Sequence, residues 1–390
     1  MNRSRVETIR TLLRGHCDRH EEAQILTLLG ETKGQELDTL LGELDVRALF
    51  RGVDDHLVGP DHRTALRALL CESRLFDLSV SSRAAICRAL QVGRTSDADQ
   101  QAIVRILLET QGRELTTLKN AIDEAGEHLD LQRLVWSDID DAQRRHTVLA
   151  HFAKEAMPTG EVKVLSDIDD TLYENWKDSH YPAKAVYPGV VQFYAELDRG
   201  PKEDGRPGDL TFVSARPTDP LGAIEALGFR TLRTHGIRVA AVLTGSLLSA
   251  RSNEAIAQKK LGNFLQYQAL YPEYGFVFVG DSGQGDVQFG EMIRERAPEA
   301  VKAVFIHDVV ATPKDRRDAL GAKGVYLFET YVGAAVRAFR LGLISPVGLV
   351  RVARAAEEQL RAIDFNDEVQ RTARRDELAR DLELASSVAQ

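Results

Sequence analysis

Residues 162–171 read Val-Lys-Val-Leu-Ser-Asp-Ile-Asp-Asp-Thr, a strand-forming run that stops on three carboxylates and a threonine. Three acids beside one strand end are costly to bury unless a cation, a phosphate or hydrogen bonds compensate them. The stretch therefore predicts a strand and a site at its end. Asp167 and Asp169 are two residues apart. In an extended chain that spacing puts both side chains on one side. Once the strand ends, the second is able to swing round to face the first. Converging carboxylates suit Mg²⁺, which takes hard oxygen ligands, usually one or two carboxylates plus substrate phosphate.

Further segments close in the same manner. Asp209–Ser214 is an apolar run ending on a hydroxyl, and Phe276–Asp286 is an apolar run ending in a Gly-rich acidic loop. Lys260 lies between them in a helical pattern. Strands are expected at 162–166, 209–214, 238–244, 275–280, 301–307 and 324–328. Helices are expected at 188–199, 219–227, 253–270 and 286–297. Alternation of this kind predicts an α/β fold, a doubly wound parallel sheet with helices on both faces. Ligands of such sheets bind outside the carboxyl ends of the strands, where every residue singled out above falls, or on an adjoining helix.

The first 155 residues have a different texture, rich in Leu, Ala, Glu and Arg, and predict an all-α domain. It contains two internal repeats, over about 8–70 and 80–152. Glu31–Leu40 returns as Glu109–Leu118, and Val53-Asp54-Asp55 as Ile139-Asp140-Asp141. The doubled acids are expected to be helix caps. Met157-Pro158-Thr159-Gly160 is the expected linker to an α/β domain over 160–330, and 331–390 is expected to form helices packing on the other domains. The arginines of 331–361 also suit an anionic lipid surface, a reading that ranks below packing. The net charge of −9 over 390 residues argues against nucleic acid as a partner. Cys17, Cys71 and Cys87, odd in number and irregular in spacing, read as reduced core thiols. No apolar stretch approaches the length of a membrane span, and the N-terminus lacks the apolar core of a secretory signal. A cytoplasmic chain is expected, with peripheral membrane contact and signal-independent export left open.

The order Asp-x-Asp-x-Thr, strand-Ser, Lys, Gly-Asp-x-x-x-x-Asp resembles the haloacid-dehalogenase-like phosphohydrolases. Tyr187-Pro188-Gly189-Val190, Lys260 twelve residues before Pro272, Gly280-Asp281-Ser282-Gly283-Gln284 and Val304–Val309 narrow the likeness to the catalytic domain of App1-type phosphatidate phosphatases, over about 160–310. The resemblance implies a Mg²⁺-dependent phosphatase with a Rossmann-like sheet and little or no cap. Asp167 is then the nucleophile that forms an aspartyl-phosphate, and Asp169 the general acid and base. Mg²⁺ would be held by Asp167, Asp169 (through its backbone carbonyl) and Asp281, with Asp286 behind them on a metal-bound water or on Lys260. Lys260 would offset the charge of Asp167 and of the transferring group, while Thr171 and Ser214 would bind the phosphate. An acid at Asp170 fits the family, without an assigned role. The rim departs from it: Ala215-Arg216-Pro217 follows Ser214 and Val287-Gln288-Phe289 follows Asp286. The helical repeats resemble annexin-type units faintly, and Gly93–Asp97 only approximates a calcium loop.

The fifteen residues between Thr171 and Tyr187 suffice for a flap. An open site suits a substrate too large to enclose, and phosphatidate, giving diacylglycerol, is the leading expectation. A phosphoprotein or soluble phosphomonoester would use the same chemistry. A non-catalytic lipid- or protein-binding module on the same scaffold is a third reading, against which the intact Asp169 argues. Trp176, Tyr173 and Tyr181 in the flap suit either local packing or a membrane interface. A protein partner for the repeats stays open.

Overall fold

The structure is a computed structural model that describes residues 2–15, 17–53, 61–91, 95–123, 130–175, 177–205, 210–213, 239–243 and 253–388. The chain divides into two units. One comprises Met1–Met157 with Ala269–Glu273, the other Pro158–Gln268 with Tyr274–Gln390.

The first unit is helical: α1 (Asn2–Leu12), α2 (Arg19–Glu31), α3 (Gln35–Glu43), α4 (Val46–Gly52), α5 (His62–Ala68), α6 (Val80–Leu90), α7 (Asp97–Leu108), α8 (Gly112–Asp123), α9 (Leu131–Arg133) and α10 (Ala142–Glu155). The repeated Glu-Thr-x-Gly segments do the same structural work twice. Arg5 donates to Thr32 Oγ1, and Arg83 donates to Thr110 Oγ1. The N–H of Gly34 reaches Asp77, and that of Gly112 reaches Glu155. Both threonines also bond back to the carbonyl four residues earlier, closing the end of α2 and α7 respectively. Asp141 caps α10 through its side chain; Asp54-Asp55 lies outside the described residues. Cys17, Cys71 and Cys87 are free and buried, and burial pushes the Cys71 thiol up to about 12.

The second unit is built on six parallel strands: β1 (Val162–Ser166), β2 (Leu210–Val213), β3 (Val239–Leu243), β4 (Gly275–Asp281), β5 (Val301–His307) and β6 (Val325–Phe328). Their order is β3-β2-β1-β4-β5-β6, so the doubly wound parallel sheet expected from the alternating pattern is the observed one. Between β1 and β4 the strand order reverses, which opens a crevice at their carboxyl ends. The helices are α11 (Val190–Arg199), α12 (Asn253–Leu270), α13 (Asp286–Arg296), α14 (Lys314–Ala322), α15 (Tyr331–Arg340), α16 (Pro346–Ala362) and α17 (Glu368–Val388). The helix expected at 219–227 lies outside the described residues.

Strand alternation sends side chains to two cores. Val277 and Val279 join Val164, Phe212 and Phe305 on the face covered by α11, α15 and α16. Phe276 and Phe278 meet Phe264 of α12 and Phe289 of α13 on the other, in edge-to-face contacts with centroids 4.7–5.4 Å apart. Lys163, inside β1, is fully buried with its ammonium 4.6 Å from the ring centroid of Tyr274.

The helices after β6 belong to this core. Val332, Ala335, Leu349, Val352 and Leu360 are buried in it. Arg351 makes a two-pronged ion pair with the buried Glu196 at 2.8 and 2.6 Å, and Arg337 lies on the ring of Tyr326. These arginines serve packing and pairing. No helix among the described residues is long and apolar enough to cross a membrane.

Candidate active site

The first element of the site is the end of β1. Asp167 follows the last strand residue, and its N–H donates to the Val279 carbonyl of β4 at 2.9 Å, so the turn starts in register with both central strands. Asp281 is the last residue of β4, and Asp286 is the first residue of α13. Lys260 projects from α12 between them. Its Nζ donates to Asp167 Oδ1 at 2.9 Å and to Asp286 Oδ1 at 2.5 Å.

Two glycines permit this approach. A Cβ on Gly280 would lie 2.5 Å from Asp286 Oδ2, and one on Gly285 would lie 2.6 Å from the backbone carbonyl of Asn253 at the start of α12. Side chains there would push α13 and the lysine-bearing helix off the strand ends.

Asp167, Asp281 and Asp286 each present a carboxylate oxygen, the three atoms lying within 4.8 Å of one another, and all three residues are buried. Burial and the charges of Asp286 and Asp167 drive the Asp281 carboxyl well above the ordinary range. Asp286 is pushed up to about 6, chiefly by burial, with Lys260 pulling the other way. Burial disfavours the Lys260 ammonium, but Asp167 and Asp286 outweigh it and raise its pKa. One ammonium therefore faces three acids. Asp281 Oδ1 accepts the Gly283 N–H at 2.6 Å, whereas the buried Oδ2 has no hydrogen-bond partner among the described residues. A buried carboxylate oxygen without a donor, within a cluster of hard oxygens, fits a divalent cation such as Mg²⁺.

Asp169 and Thr171 occupy the loop beyond β1. Asp169 is half-buried, and Asn175 Nδ2 donates to its Oδ1 at 2.5 Å. Its carboxylate is not one of the three clustered acids. Thr171 is fully buried. Its carbonyl accepts from Tyr331 Oη at 2.6 Å, and its Oγ1 has no partner among the described residues. Ser214 and Arg216 lie outside the described residues.

The flap between Thr171 and Tyr187 is a short folded hairpin, with Tyr173 bridged antiparallel to Val186. Tyr181 is buried against Tyr187 and Phe365, so its ring serves the core and is removed from the candidates for membrane insertion. Tyr173 stays half-buried beneath the Lys184 ammonium, and Trp176 lies outside the described residues. Sequence reasoning did not find Asn175, the packing role of His307, or Tyr331. Asn175 carried no motif, and the other two enter only through long-range contacts.

A parallel sheet with buried acids and one lysine at its switch point defines a class: an α/β protein with a catalytic-type acidic site. Residues 162–308 match the family model described as phosphatidate phosphatase APP1, catalytic domain. Over that segment, less than half of its length, the chain is similar to that catalytic domain, which bears out the resemblance read from the motifs. No curated protein and no solved structure matches the chain.

Proposed function

We propose that this chain is a Mg²⁺-dependent phosphatase that hydrolyses phosphatidate to diacylglycerol and phosphate through an aspartyl-phosphate. The observation that carries the reading is the buried triad of Asp167, Asp281 and Asp286 around Lys260, with a donorless oxygen on Asp281.

A phosphate monoester dianion repels nucleophiles, so its cleavage rests on charge neutralisation and in-line positioning. Asp167, Asp281 and the backbone carbonyl of Asp169 would hold the cation, which supplies Lewis-acid neutralisation of the phosphoryl oxygens. Asp167 Oδ1 is held at 2.9 Å by Lys260, which fixes the carboxylate at the sheet's crevice. Its other oxygen attacks phosphorus, and the bond from phosphorus to the glycerol oxygen breaks. Asp169 gives its proton to that leaving oxygen, then takes one from the water that attacks the aspartyl-phosphate. Phosphate departs and Asp167 is restored. Asp286 supports Lys260, while the Thr171 hydroxyl donates to a phosphoryl oxygen and Ser214 supplies a second donor. In this reading bilayer contact is peripheral and cytoplasmic, and the helical repeats supply docking to a membrane or a protein.

The purified full chain is offered phosphatidate in mixed micelles and a panel of soluble phosphomonoesters, with Mg²⁺ or with chelator. Mg²⁺-dependent phosphate release from phosphatidate, lost in Asp167→Asn, is the expected result. Release only from the soluble panel refutes the lipid substrate, and undiminished turnover by Asp167→Asn refutes the mechanism.

A further inference from the structure

We infer that Asn175 is the residue that positions the acid/base Asp169, and that Asp170 is what holds Asn175 in place. The inference rests on the hydrolase reading above and assigns parts of this chain that the reading leaves idle.

The argument begins at Asp170, which adopts φ +52. Few non-glycine residues take a left-handed conformation, and aspartate is among those that do so most readily. The turn carries the Asp170 carboxylate inward, where it is fully buried. Its Oδ1 accepts the backbone N–H of Asn175 at 2.9 Å, and its Oδ2 accepts that of Lys177 at 2.7 Å. Its own N–H donates to the Tyr173 carbonyl at 2.9 Å. Its carbonyl accepts from His307 Nδ1, 3.0 Å away at the end of β5. Asp170 is thus bonded on every side to backbone or to a buried ring, and its work is to fold the first half of the flap against the motif loop.

Because its own N–H is pinned, Asn175 has little freedom beyond its side-chain rotamer. That side chain turns back and donates to Asp169 Oδ1 at 2.5 Å. A carboxyl group on a loop otherwise rotates about two side-chain bonds. Proton transfer to a leaving oxygen demands one orientation, and a misplacement of about 1 Å can reduce the rate by about 10²-fold. Correctly placed general acid–base groups contribute about 10²–10⁴ in rate. The pair made by Asp170 and Asn175 converts a loop aspartate into a fixed one. These bonds run from Asp170 to the flap backbone and from Asn175 to Asp169, a role distinct from metal holding.

The test compares wild type, Asn175→Ala and Asn175→Asp as full chains with Mg²⁺. Substrates are phosphatidate in detergent micelles and p-nitrophenyl phosphate, read on whichever the wild type turns over. Asn175→Asp keeps the side chain's shape and the backbone bond to Asp170 but loses the donor, so it stands in if the alanine variant folds poorly. Folding is checked by circular dichroism, and cation binding by the rise in Tm on adding Mg²⁺. The expected result is a fall in kcat of about 10-fold to 100-fold, with KM and the Mg²⁺-induced rise in Tm as in wild type. A kcat within twofold of wild type overturns the inference. So does a loss in which KM and the Mg²⁺ response change together, since a merely structural residue gives that pattern. A wild type that cleaves neither ester overturns the hydrolase reading itself, and this inference with it.

Discussion

Replacing Asp281 by asparagine removes one charge from the acid cluster while keeping its shape, and the metal-free protein should become more stable. The clustered oxygens lie within 4.8 Å of one another, and at an effective dielectric constant of about 20 each pair of charges at that distance repels by about 3.5 kcal/mol. Asp281 meets two such neighbours and one ammonium, which leaves about one repulsion uncompensated. Asparagine still accepts the Gly283 N–H, so that bond survives. The ceiling on the gain is therefore about 3 kcal/mol above the pH at which Asp281 ionises, or a rise in Tm of about 6–12 °C. The pH dependence has a definite sign. Asp281 and Asp286 have carboxyls raised in the folded state, by burial first and then by neighbouring acids. The folded chain then holds protons that the unfolded chain releases. The contribution of these two groups to stability is therefore greatest below the ordinary carboxylate range and is lost as pH rises through the raised values. Thermal unfolding of both proteins in chelator, from pH 4 to pH 8, should show a smaller decline in the variant. Mg²⁺ should raise the Tm of wild type, by about 2.7 kcal/mol of stabilisation at one hundred times its Kd, and raise that of the variant far less. A metal-free variant less stable than wild type at pH 8, with the Mg²⁺ response intact, would refute the electrostatic account.

Lys260→Met should leave the buried acids without the ammonium that pairs with them and cost about 3–5 kcal/mol in chelator, with kcat reduced at least about 10²-fold; chemical denaturation and steady-state assay measure both. Gly280→Ala places a Cβ against Asp286 Oδ2 and should cost about 1–3 kcal/mol, with a 10-fold to 100-fold rise in the Mg²⁺ concentration needed for turnover. A chain ended at residue 330 keeps the whole matched segment but exposes the apolar surface that Val332, Ala335, Leu349, Val352 and Leu360 cover, and should be insoluble on expression.

All six strands lie within a residue of where apolar runs placed them, and Asp167, Asp281 and Asp286 converge with Lys260 of the adjoining helix as their positions implied. These were legible because parallel strands buried on both faces must be apolar, and because acids at their ends interrupt that pattern abruptly. Lys163 shows the limit. A lysine in strand position reads as solvent-facing, yet it is fully buried beneath the Tyr274 ring, a partnership fixed by sheet register. The positive φ of Asp170 was equally hidden. Local sequence does not mark it, because the carboxylate's partners are backbone N–H groups, which every residue possesses. The repeat was legible as a pattern, but its purpose emerges only from the paired bonds of Arg5 with Thr32 and Arg83 with Thr110.

The loop after β1 is held from two directions, and this explains why the site depends on chain beyond the matched segment. From β5, His307 donates to the Asp170 carbonyl; from α15, Tyr331 donates to the Thr171 carbonyl. Both rings are buried and lie against each other and against Phe328, with His307 and Tyr331 centroids 6.0 Å apart. Burial holds the His307 imidazole's pKa below its ordinary value, so it stays neutral and donates without bringing a charge beside the acids. The two donors satisfy the loop's carbonyls, and that satisfaction leaves the Thr171 hydroxyl as the unpartnered polar atom of its residue. In Tyr331→Phe, loss of one neutral hydrogen bond should cost about 0.5–1.5 kcal/mol in stability. Its effect on KM for the phosphomonoester should exceed its effect on the Mg²⁺ midpoint, because in the proposed mechanism Thr171 binds the substrate and the clustered acids hold the cation. Equal effects on both, measured by titrating substrate and Mg²⁺ independently, would show that the loop moves as one body with the metal cluster.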